Sequence, residues 1–453
     1  MIHQYCLDGH YIVLDVNSGA IHTVDKLVYD LLEKLVPPLG PSCPLEVLQA
    51  LEGKYPPEEL AEAYEDIFAL YEAGQLFSVD DYGPYADRMV ASPIKAMCLN
   101  VSHDCNLRCE YCFAGKGDYS GGRMLMPVEI GKKAVDLLIE KSQGRRNLEL
   151  DFFGGEPLMN FQMVKEVVAY AREQEKIHGK NFRFTITTNG MLLDESKMDF
   201  INAEMSNVVL SIDGRKEVND RVRARVNGSG CYDAIMPKFQ RLVEKRDHDR
   251  YYVRGTFTKY NLDFSKDVES LHAAGFDQIS VEPVAANPAL PYAITREDLP
   301  RIFEEYEILA RKILASKEEG KGYNFFHFML DLDQGPCAIK RLRGCGCGNE
   351  YIAVTPDGDI YPCHQFIGHD QWKMGSLLDG TLDLDMKERF SKTSVYQKQD
   401  CQQCWAKFYC SGGCNANNMQ YEGDILKSYD IACQMEKKRL ECAIMIKAAL
   451  AEA

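Results

Sequence analysis

The chain has 453 residues, of which 45% are apolar and 26% charged, so it is long enough for two to four domains with a sizeable core. Its formal net charge of −16 argues against nucleic acid or an anionic membrane surface as the main partner, because both attract clustered lysine and arginine. No uninterrupted apolar run approaches the roughly 18 residues of a membrane span, and the start lacks the regions of a signal peptide, so we predict a cytoplasmic protein.

Cysteine is the anomaly of the composition. Eleven of the 17 cysteines fall in two short regions, 105–112 and 345–433. In a reducing compartment such clustering indicates metal binding rather than a disulfide framework. The scattered cysteines are interpreted as small core residues or inert thiols: Cys6, Cys43, Cys98, Cys231 and Cys442.

Residues 1–90 are predicted to form a winged-helix-like module. Two alternating apolar runs flank Asn17-Ser18-Gly19 and indicate a β-hairpin, and Asp25 is placed to cap a helix. Three short helices are predicted, at about 26–36, 44–52 and 57–75. The segment QLFSV is predicted to return as a strand, and DDYGPYADR with Pro93 is predicted as a linker. No helix here carries a basic face, so DNA binding is not favoured.

Residues 91–325 alternate strand and helix. The six β-rich runs are MCLNVS, NLELDFF, FRFTITT, SNVVLSID, YVRGTFT and QISVEPV. Such alternation implies parallel strands with right-handed crossovers, in an incomplete barrel or an open sheet. In both architectures the chemistry gathers at the carboxyl ends of the strands.

Four loop motifs follow the first four of these strands. The run DCNLRCEYCF follows the first strand, GGEP the second, TNG the third and SIDG the fourth. Because parallel strands end on the same rim, we expect these motifs to form one site. Residues 326–453 lose the alternation and are dense in cysteine and glycine, so they are predicted to fold around metal, closing with a helix.

Cys105, Cys109 and Cys112 supply three thiolates, and an iron–sulfur cube held by three cysteines keeps one iron open. With Tyr111 before the last cysteine, the loop resembles the CxxxCxxC signature of radical S-adenosylmethionine (radical SAM) enzymes. The resemblance implies a partial (β/α)6 barrel, a [4Fe–4S] cluster at these catalytic cysteines and a 5′-deoxyadenosyl radical. Zinc binding or chance is the alternative for a CxxxCxxC motif taken alone.

The same resemblance assigns cofactor contacts on the rim. The implied cofactor-binding residues are Tyr111, Gly154, Gly155, Glu156, Pro157, Thr188, Asn189, Ser211, Asp213 and Arg223. The GGEP residues would receive the methionine amino group, and the SIDG residues would contact the ribose and the carboxylate. The alternatives are that SIDG is only a turn and that Arg223 is a solvated helix residue.

The later cysteines resemble the SPASM extension. They are Cys345, Cys347, Cys363, Cys401, Cys404, Cys410, Cys414 and Cys433. The resemblance implies two auxiliary [4Fe–4S] clusters, hence three in all, one of them fully ligated by Cys401, Cys404, Cys410 and Cys433. Cys345, Cys363 and Cys414 would hold the other, whose fourth ligand is Cys347, Cys337 or a substrate cysteine. A zinc ribbon is the alternative for the run 401–414.

Taken whole, the chain resembles the SCIFF maturases, which form intramolecular thioethers in a small cysteine-rich peptide. The resemblance implies leader-peptide binding by residues 1–90 as an added strand, and a flavodoxin- or ferredoxin-type electron donor. Arg254 and Glu282 lie near strand ends and could face the substrate. The alternatives are an anaerobic sulfatase-maturing enzyme or another SPASM oxidase, and a metal-stabilised peptide-binding adaptor without chemistry.

Overall fold

The computed structural model describes residues 1–86, 92–119, 121–332 and 341–452. Within these residues no helix has the length and apolar character needed to cross a membrane. Cys337, one of the predicted ligand candidates, lies outside the described residues, as does part of the predicted linker.

The amino-terminal unit is a three-stranded antiparallel sheet followed by helices. Its elements are β1 (Ile2–Leu7), β2 (His10–Asp15), β3 (Ile21–Val24), α1 (Lys26–Lys34), α2 (Leu45–Ala50), α3 (Pro57–Glu72) and α4 (Gly83–Ala86). The predicted hairpin is β2 and β3, and Asp25 caps α1 by accepting a hydrogen bond from the Val28 amide at 2.8 Å. The order β1-β2-β3 leaves β1 and β3 as edge strands, and the winged-helix likeness stays a prediction.

One prediction for this unit is wrong. The segment QLFSV is not a strand; instead the Ser78 amide donates to the Asp15 carboxylate at 2.9 Å. Asp15 is fully buried at the end of β2, so its carboxylate needs donors, and the Ser18 amide and Ser78 satisfy it. This local bonding takes the place of a sheet pairing.

The central part contains all six predicted strands. The elements are β4 (Ala96–His103), β5 (Leu107–Cys109), β6 (Met124–Leu125), α5 (Val128–Lys141), β7 (Asn147–Gly154), α6 (Phe161–His178), β8 (Asn181–Thr188), α7 (Glu195–Glu204), β9 (Met205–Ser211), α8 (Lys216–Val222), β10 (Arg223–Arg225), α9 (Tyr232–Glu244), β11 (Tyr251–Phe257), α10 (Ser265–Ala273), β12 (Gln278–Pro283), α11 (Leu299–Glu318) and β13 (Asn324–Phe325). Strands β4, β7, β8, β9, β11 and β12 are parallel and neighbours in that order. Strand β4 does not pair with β12, so the barrel is open.

The carboxyl-terminal part continues this sheet. Its elements are β14 (Tyr351–Val354), β15 (Asp359–Tyr361), β16 (Gly375–Ser376), β17 (Thr381–Leu382), α12 (Leu384–Ser391), α13 (Gln399–Gln402), α14 (Lys407–Cys410), α15 (Asn415–Glu422) and α16 (Asp430–Glu452). Strand β14 pairs in parallel with β4, and β15 to β17 extend the sheet outward. The prediction that this segment folds around metal did not include its pairing with the barrel sheet.

One apolar core joins the three parts. Helix α16 packs against α11 and also contacts β1 and β2, so the last helix lies between the amino-terminal unit and the barrel. Buried side chains of the first sheet, such as Ile12, belong to the same core as Leu150 of the barrel and Ile444 of α16. The cysteine-bearing loops are therefore carried by a continuous scaffold.

Candidate functional site

The three-cysteine loop follows β4 on the rim of the sheet. Cys109 ends β5, which pairs antiparallel with β10 so that Cys109 lies opposite Arg223. The Cys105 sulfur accepts from the Leu107 amide at 3.4 Å and from the Asn189 side chain at 3.6 Å. Burial raises the pKa of Cys105 to about 11 and that of Cys109 to about 12, so ligation of a metal must release their protons.

Glycines let the second rim motif pack directly beneath this loop. A Cβ on Gly154 would collide with the Ser102 carbonyl, and Gly154 has φ +132°. The Gly155 amide donates to the Ser102 carbonyl at 2.7 Å, and the Glu156 amide donates to the Asp104 carbonyl at 2.9 Å. The GGEP segment is thus fixed against the backbone that leads into the cysteines.

Glu156 connects the second and third rim motifs. Its buried carboxylate accepts from the Leu158 amide at 3.0 Å, the Thr188 hydroxyl at 2.7 Å and the Asn189 amide at 2.8 Å. Burial raises the pKa of Glu156, while these donors oppose that shift. Asn189 in turn donates to Asn106 inside the cysteine loop at 2.8 Å. Pro157 is buried after Glu156 and begins a single 3₁₀ turn.

A polar triad joins Tyr111 of the loop to the buried Asp213 and Arg223. The Tyr111 hydroxyl is 2.8 and 2.7 Å from the two Asp213 carboxylate oxygens, and it accepts from Arg223 at 2.9 Å. Asp213 is fully buried and also accepts from the Thr256 amide at 3.0 Å. Asp213 therefore helps to hold the loop, and its contact with a cofactor stays a prediction. Arg223 is buried as well, which excludes the interpretation of a solvated helix residue.

The remaining rim residues are also placed together. Ser211 ends β9 beside Arg254 of β11 and is half-buried. Arg254 forms an ion pair with Glu282 at 2.8 Å, so these two predicted substrate-facing residues are joined, although Arg254 lies in the middle of β11 and only Glu282 lies near a strand end. The assignment of the ten rim residues to a cofactor stays a prediction.

Four of the later cysteines form a first auxiliary group. They are Cys345, Cys347, Cys363 and Cys414, and the charge of Cys363 acts on both Cys345 and Cys414. The buried Cys347 thiol donates a hydrogen bond to Cys363, which lowers the pKa of Cys363. The structure thus places Cys347 inside this group, which favours it as the fourth ligand.

The other four cysteines line one cavity. Its volume is about 340 Å³, and Cys401, Cys404, Cys410 and Cys433 contribute to its wall. Burial first, with nearby charges, raises the pKa of Cys410 and of Cys433 to about 12. The cysteines predicted for one auxiliary cluster are therefore brought together in space.

The chemistry of these four cysteines fits the group predicted for them. A four-iron cluster takes one thiolate at each of its corners, and zinc takes four thiolates around one point. The cavity of about 340 Å³ offers four thiols, the number that either would take. The four-iron cluster stays our prediction, and the zinc ribbon stays the alternative for 401–414.

Several residues at the site escaped the sequence analysis. Gly117, just after the loop, has φ +97°, and a Cβ there would lie 2.6 Å from the Cys105 Cβ. His364, next to Cys363, packs its ring 5.3 Å from Phe113 and 4.9 Å from Phe153. These rings link the first cysteine loop to the first auxiliary group. Only the adjacency of a histidine to a cluster cysteine could have indicated it.

Family comparisons agree with both cysteine regions. A family model described as the Radical SAM superfamily matches residues 99–259, and one described as the SPASM iron-sulfur cluster-binding domain matches residues 345–405. The first range contains the three-cysteine loop and the other three rim motifs. The two domains imply S-adenosylmethionine and [4Fe–4S] clusters as cofactors.

Individual relatives are similar over most of the chain. The cysteine-type anaerobic sulfatase-maturating enzyme of Clostridium novyi is 24% identical, over 70% of this chain and 86% of its own. The structure titled native anSMEcpe with bound AdoMet has a TM-score of 0.66 at 20% identity and covers 80% of this chain and 100% of its own. Streptococcus suis SuiB bound to precursor peptide SuiA has a TM-score of 0.50 at 17% identity and covers 96% of this chain and 98% of its own.

Proposed function

We propose that this chain, a radical SAM enzyme with a SPASM domain, oxidises a cysteine-containing segment of a peptide or protein. The observation that carries the proposal is the packing of a side chain next to the three-cysteine loop against a side chain next to the first auxiliary group. Phe113 follows Cys112, His364 follows Cys363, and their rings are 5.3 Å apart. A substrate bound at the rim would lie near both an oxidant and an electron acceptor.

When bound at the three-cysteine loop, S-adenosylmethionine and a reduced cluster supply a 5′-deoxyadenosyl radical that removes one hydrogen atom from a substrate carbon. Two-electron oxidation of the substrate then requires the loss of one proton and one more electron. The first auxiliary group, linked to the loop by the packing of His364 on Phe113, would hold a cluster that could accept that electron. The chain's own part is to fix the loop through Asp213 and Glu156 and to exclude water.

Two products follow from the same oxidation. A cysteine side chain that loses two hydrogens becomes a thioaldehyde, and water converts this to formylglycine with release of hydrogen sulfide. Alternatively, the cysteine sulfur bonds to the carbon that lost its hydrogen, and a thioether results. The sulfatase-maturating relatives support the first product, which we therefore take as the main candidate.

A separate observation supports the thioether product in a leader-bearing, cysteine-rich precursor of the SCIFF type. The sulfatase-maturating structure covers all of its own length but 80% of this chain, whereas the precursor-bound structure covers 96%. A match of that extent includes most of residues 1–86, where β3 is an edge strand beside a groove of about 670 Å³. An open strand edge can take a peptide as an added strand.

Product mass decides between the candidates. Full-length protein, reconstituted without oxygen, is given S-adenosylmethionine, dithionite, and either a sulfatase peptide with its target cysteine or a six-cysteine precursor with its leader. A thioether product is lighter by two hydrogens per bridge. A formylglycine product has lost two hydrogens, has exchanged its sulfur for oxygen and reacts with hydrazide probes. Cofactor cleavage with both peptides unchanged would contradict the proposal.

Leader binding is tested at the edge of β3. The Asp15 backbone amide donates to the Ala20 carbonyl. Because hydrogen bonding alternates along the antiparallel pair, the backbone N–H and C=O groups of Ile21 and Thr23 face the free edge of β3. Thr23→Pro removes one outward N–H, and Thr23→Ala keeps it. If a leader adds here, the proline variant should raise the KM for the precursor about tenfold, for a loss near 1.4 kcal/mol. Equal KM values for the two variants would exclude this edge.

The adaptor alternative is tested with Cys105→Ala. We expect this variant to stay folded, since the buried triad of Tyr111, Asp213 and Arg223 is untouched, but to form no 5′-deoxyadenosine. An adaptor would keep its full function in the variant. A flavodoxin- or ferredoxin-type donor remains our prediction for the source of electrons.

A further inference from the structure

Lys398 is a fully buried lysine that precedes the second auxiliary group by three residues. Its Nζ donates to the Gly412 carbonyl at 2.6 Å and to the Asn415 side chain at 2.9 Å. Both acceptors lie at the loop that joins Cys410, of the second auxiliary group, to Cys414, of the first. The ammonium therefore sits where the two groups meet.

Cysteines have the strongest electrostatic influence on Lys398. Burial lowers the pKa of Lys398, and the largest opposing effects come from cysteines of both auxiliary groups. These are Cys401, Cys410 and Cys433 of the second group and Cys414 of the first. Lys398 also lowers the pKa of Cys345 in the first group. One cation thus acts on five of the eight auxiliary cysteines.

A second buried lysine near the same cysteines shows what is unusual about Lys398. Lys407 is also buried and lines the cavity of the second group, but its Nζ is paired with Asp80 at 2.6 Å. Within the described residues no carboxylate lies within ion-pair distance of Lys398. An isolated buried ammonium is unfavourable by several kcal/mol unless negative charge compensates it. Clusters ligated by thiolates carry such negative charge.

We infer that Lys398 is a counter-ion shared by the two auxiliary clusters and raises the reduction potential of both. Reduction adds one negative charge to a cluster, and a fixed positive charge in a medium of low dielectric constant favours that addition. Lys398 would therefore make both clusters better acceptors for the electron that leaves the substrate. The inference rests on the auxiliary clusters of the proposed function and adds a residue that positions charge rather than touching substrate.

The test is a redox titration of the reconstituted full chain, followed by electron paramagnetic resonance. Lys398→Gln keeps a hydrogen-bond donor for the Gly412 carbonyl but removes the charge. We expect it to lower the equilibrium constant for reduction of both auxiliary clusters at least about tenfold, equal to 59 mV for a one-electron couple. The three-cysteine cluster should be unchanged.

The matched control is Lys437→Gln. Lys437 lines the same cavity and acts on Cys433, but it is only half-buried, so water screens its charge. We expect a shift below about threefold, confined to the second cluster. Equal shifts of the reduction potential in the two variants would overturn the inference of a shared counter-ion, because any lysine near these cysteines would then have the same effect.

Lys398→Arg separates charge from shape. If Lys398→Gln loses iron, the arginine variant should restore both iron content and potentials, because it keeps the charge. Loss of iron in both variants would overturn the inference in favour of a requirement for shape. Normal iron content with unchanged potentials in Lys398→Gln would also overturn it, leaving the proposed function intact. If the parent protein instead bound iron for a single cluster only, it would have no auxiliary clusters, and the inference would be refuted with them.

Discussion

The rim of the barrel and residues 345–433 (the SPASM region) both gather cysteines, but they hold them by different means. The three-cysteine loop follows the regular strand β4 and is fixed by hydrogen bonds of buried protein groups, among them Asp213 and Glu156. The eight auxiliary cysteines lie mostly on loops and one-turn helices, with positive-φ glycines such as Gly346 and Gly412 between them. Their polar neighbours include other thiols, Lys398 and, for Cys401, the Ser428 hydroxyl at 3.5 Å.

The difference implies that the two regions depend on iron to different extents. A loop whose position is set by buried hydrogen bonds stays in place when its cluster is removed. A region with short elements and clustered thiols gains much of its folding free energy from the metal. We therefore expect the barrel to be preorganised and the SPASM loops to be organised by their clusters.

Iron removal gives the largest expected effect. Chelation under reducing conditions should raise amide hydrogen exchange in residues 396–433 about a hundredfold, because structural metal sites contribute several kcal/mol to folding. Exchange in β7 and β8 should change little, since these strands are central and paired on both sides. Exchange measured by mass spectrometry after pepsin digestion resolves the two regions. Equal increases in both would refute the comparison.

The barrel was the more predictable region, for a physical reason. Strands such as β7 and β8 alternate buried and exposed residues, and each is followed by an amphipathic helix, so local patterns carry the fold. The motifs also lie at strand ends, where topology alone brings them together. Six strands, the open barrel and the common rim were therefore accessible from sequence.

What could not be predicted depends on contacts between distant residues. Strand β14 is four residues long, and only its parallel pairing with β4 shows that it belongs to the barrel sheet. Tyr111 and Asp213 are 102 residues apart, and nothing local marks them as partners. Lys398 resembles any helix-flanking lysine until its burial is known. Such features arise from packing, which spacing along the chain does not encode.

Breaking the buried triad tests the preorganised region directly. Asp213→Asn removes the charge that faces Arg223, and leaving a buried charge without its partner lowers the free energy of unfolding by about 3 kcal/mol. Asp263→Asn is the control, because Arg215 keeps Asp267 and the partly exposed pair contributes about 0.5 kcal/mol. Urea unfolding followed by circular dichroism measures both. A smaller loss for Asp213→Asn than for the control would show that the loop is not held by this triad.

A buried carboxylate predicts a pH dependence within the barrel. Burial raises the pKa of Asp151, on β7, to about 7, above its ordinary value of 3.8. The folded form therefore favours the protonated acid, so this contribution is complete below about pH 4 and is lost as pH rises through 7. Between pH 5 and 8 we expect Asp151→Asn to gain about 2 kcal/mol over the parent protein, allowing for partial exposure.

The control for that prediction is Glu149→Gln. Glu149 is an exposed neighbour on the same strand, and it contributes less than burial to the raised pKa of Asp151. Most of the pH dependence should therefore survive in this variant. Parallel stability curves for Asp151→Asn and the parent protein would show that Asp151 does not titrate in this range.

The smallest expected effect lies where the amino-terminal unit meets the SPASM region. The His3 ring stacks on Trp405 at 3.8 Å, and its Nε2 is 3.1 Å from Glu441 on α16. Trp405 follows Cys404, so β1 braces a loop that carries a cluster ligand. His3→Ala should lower the free energy of unfolding by about 1 kcal/mol and raise exchange around 401–410, but not in the barrel. His22→Ala, on the exposed edge strand β3, should do neither. If His3→Ala instead raised exchange in the barrel strands, the amino-terminal unit would be supporting the barrel. The difference between the barrel and the SPASM region could then no longer be explained by their different dependence on iron alone.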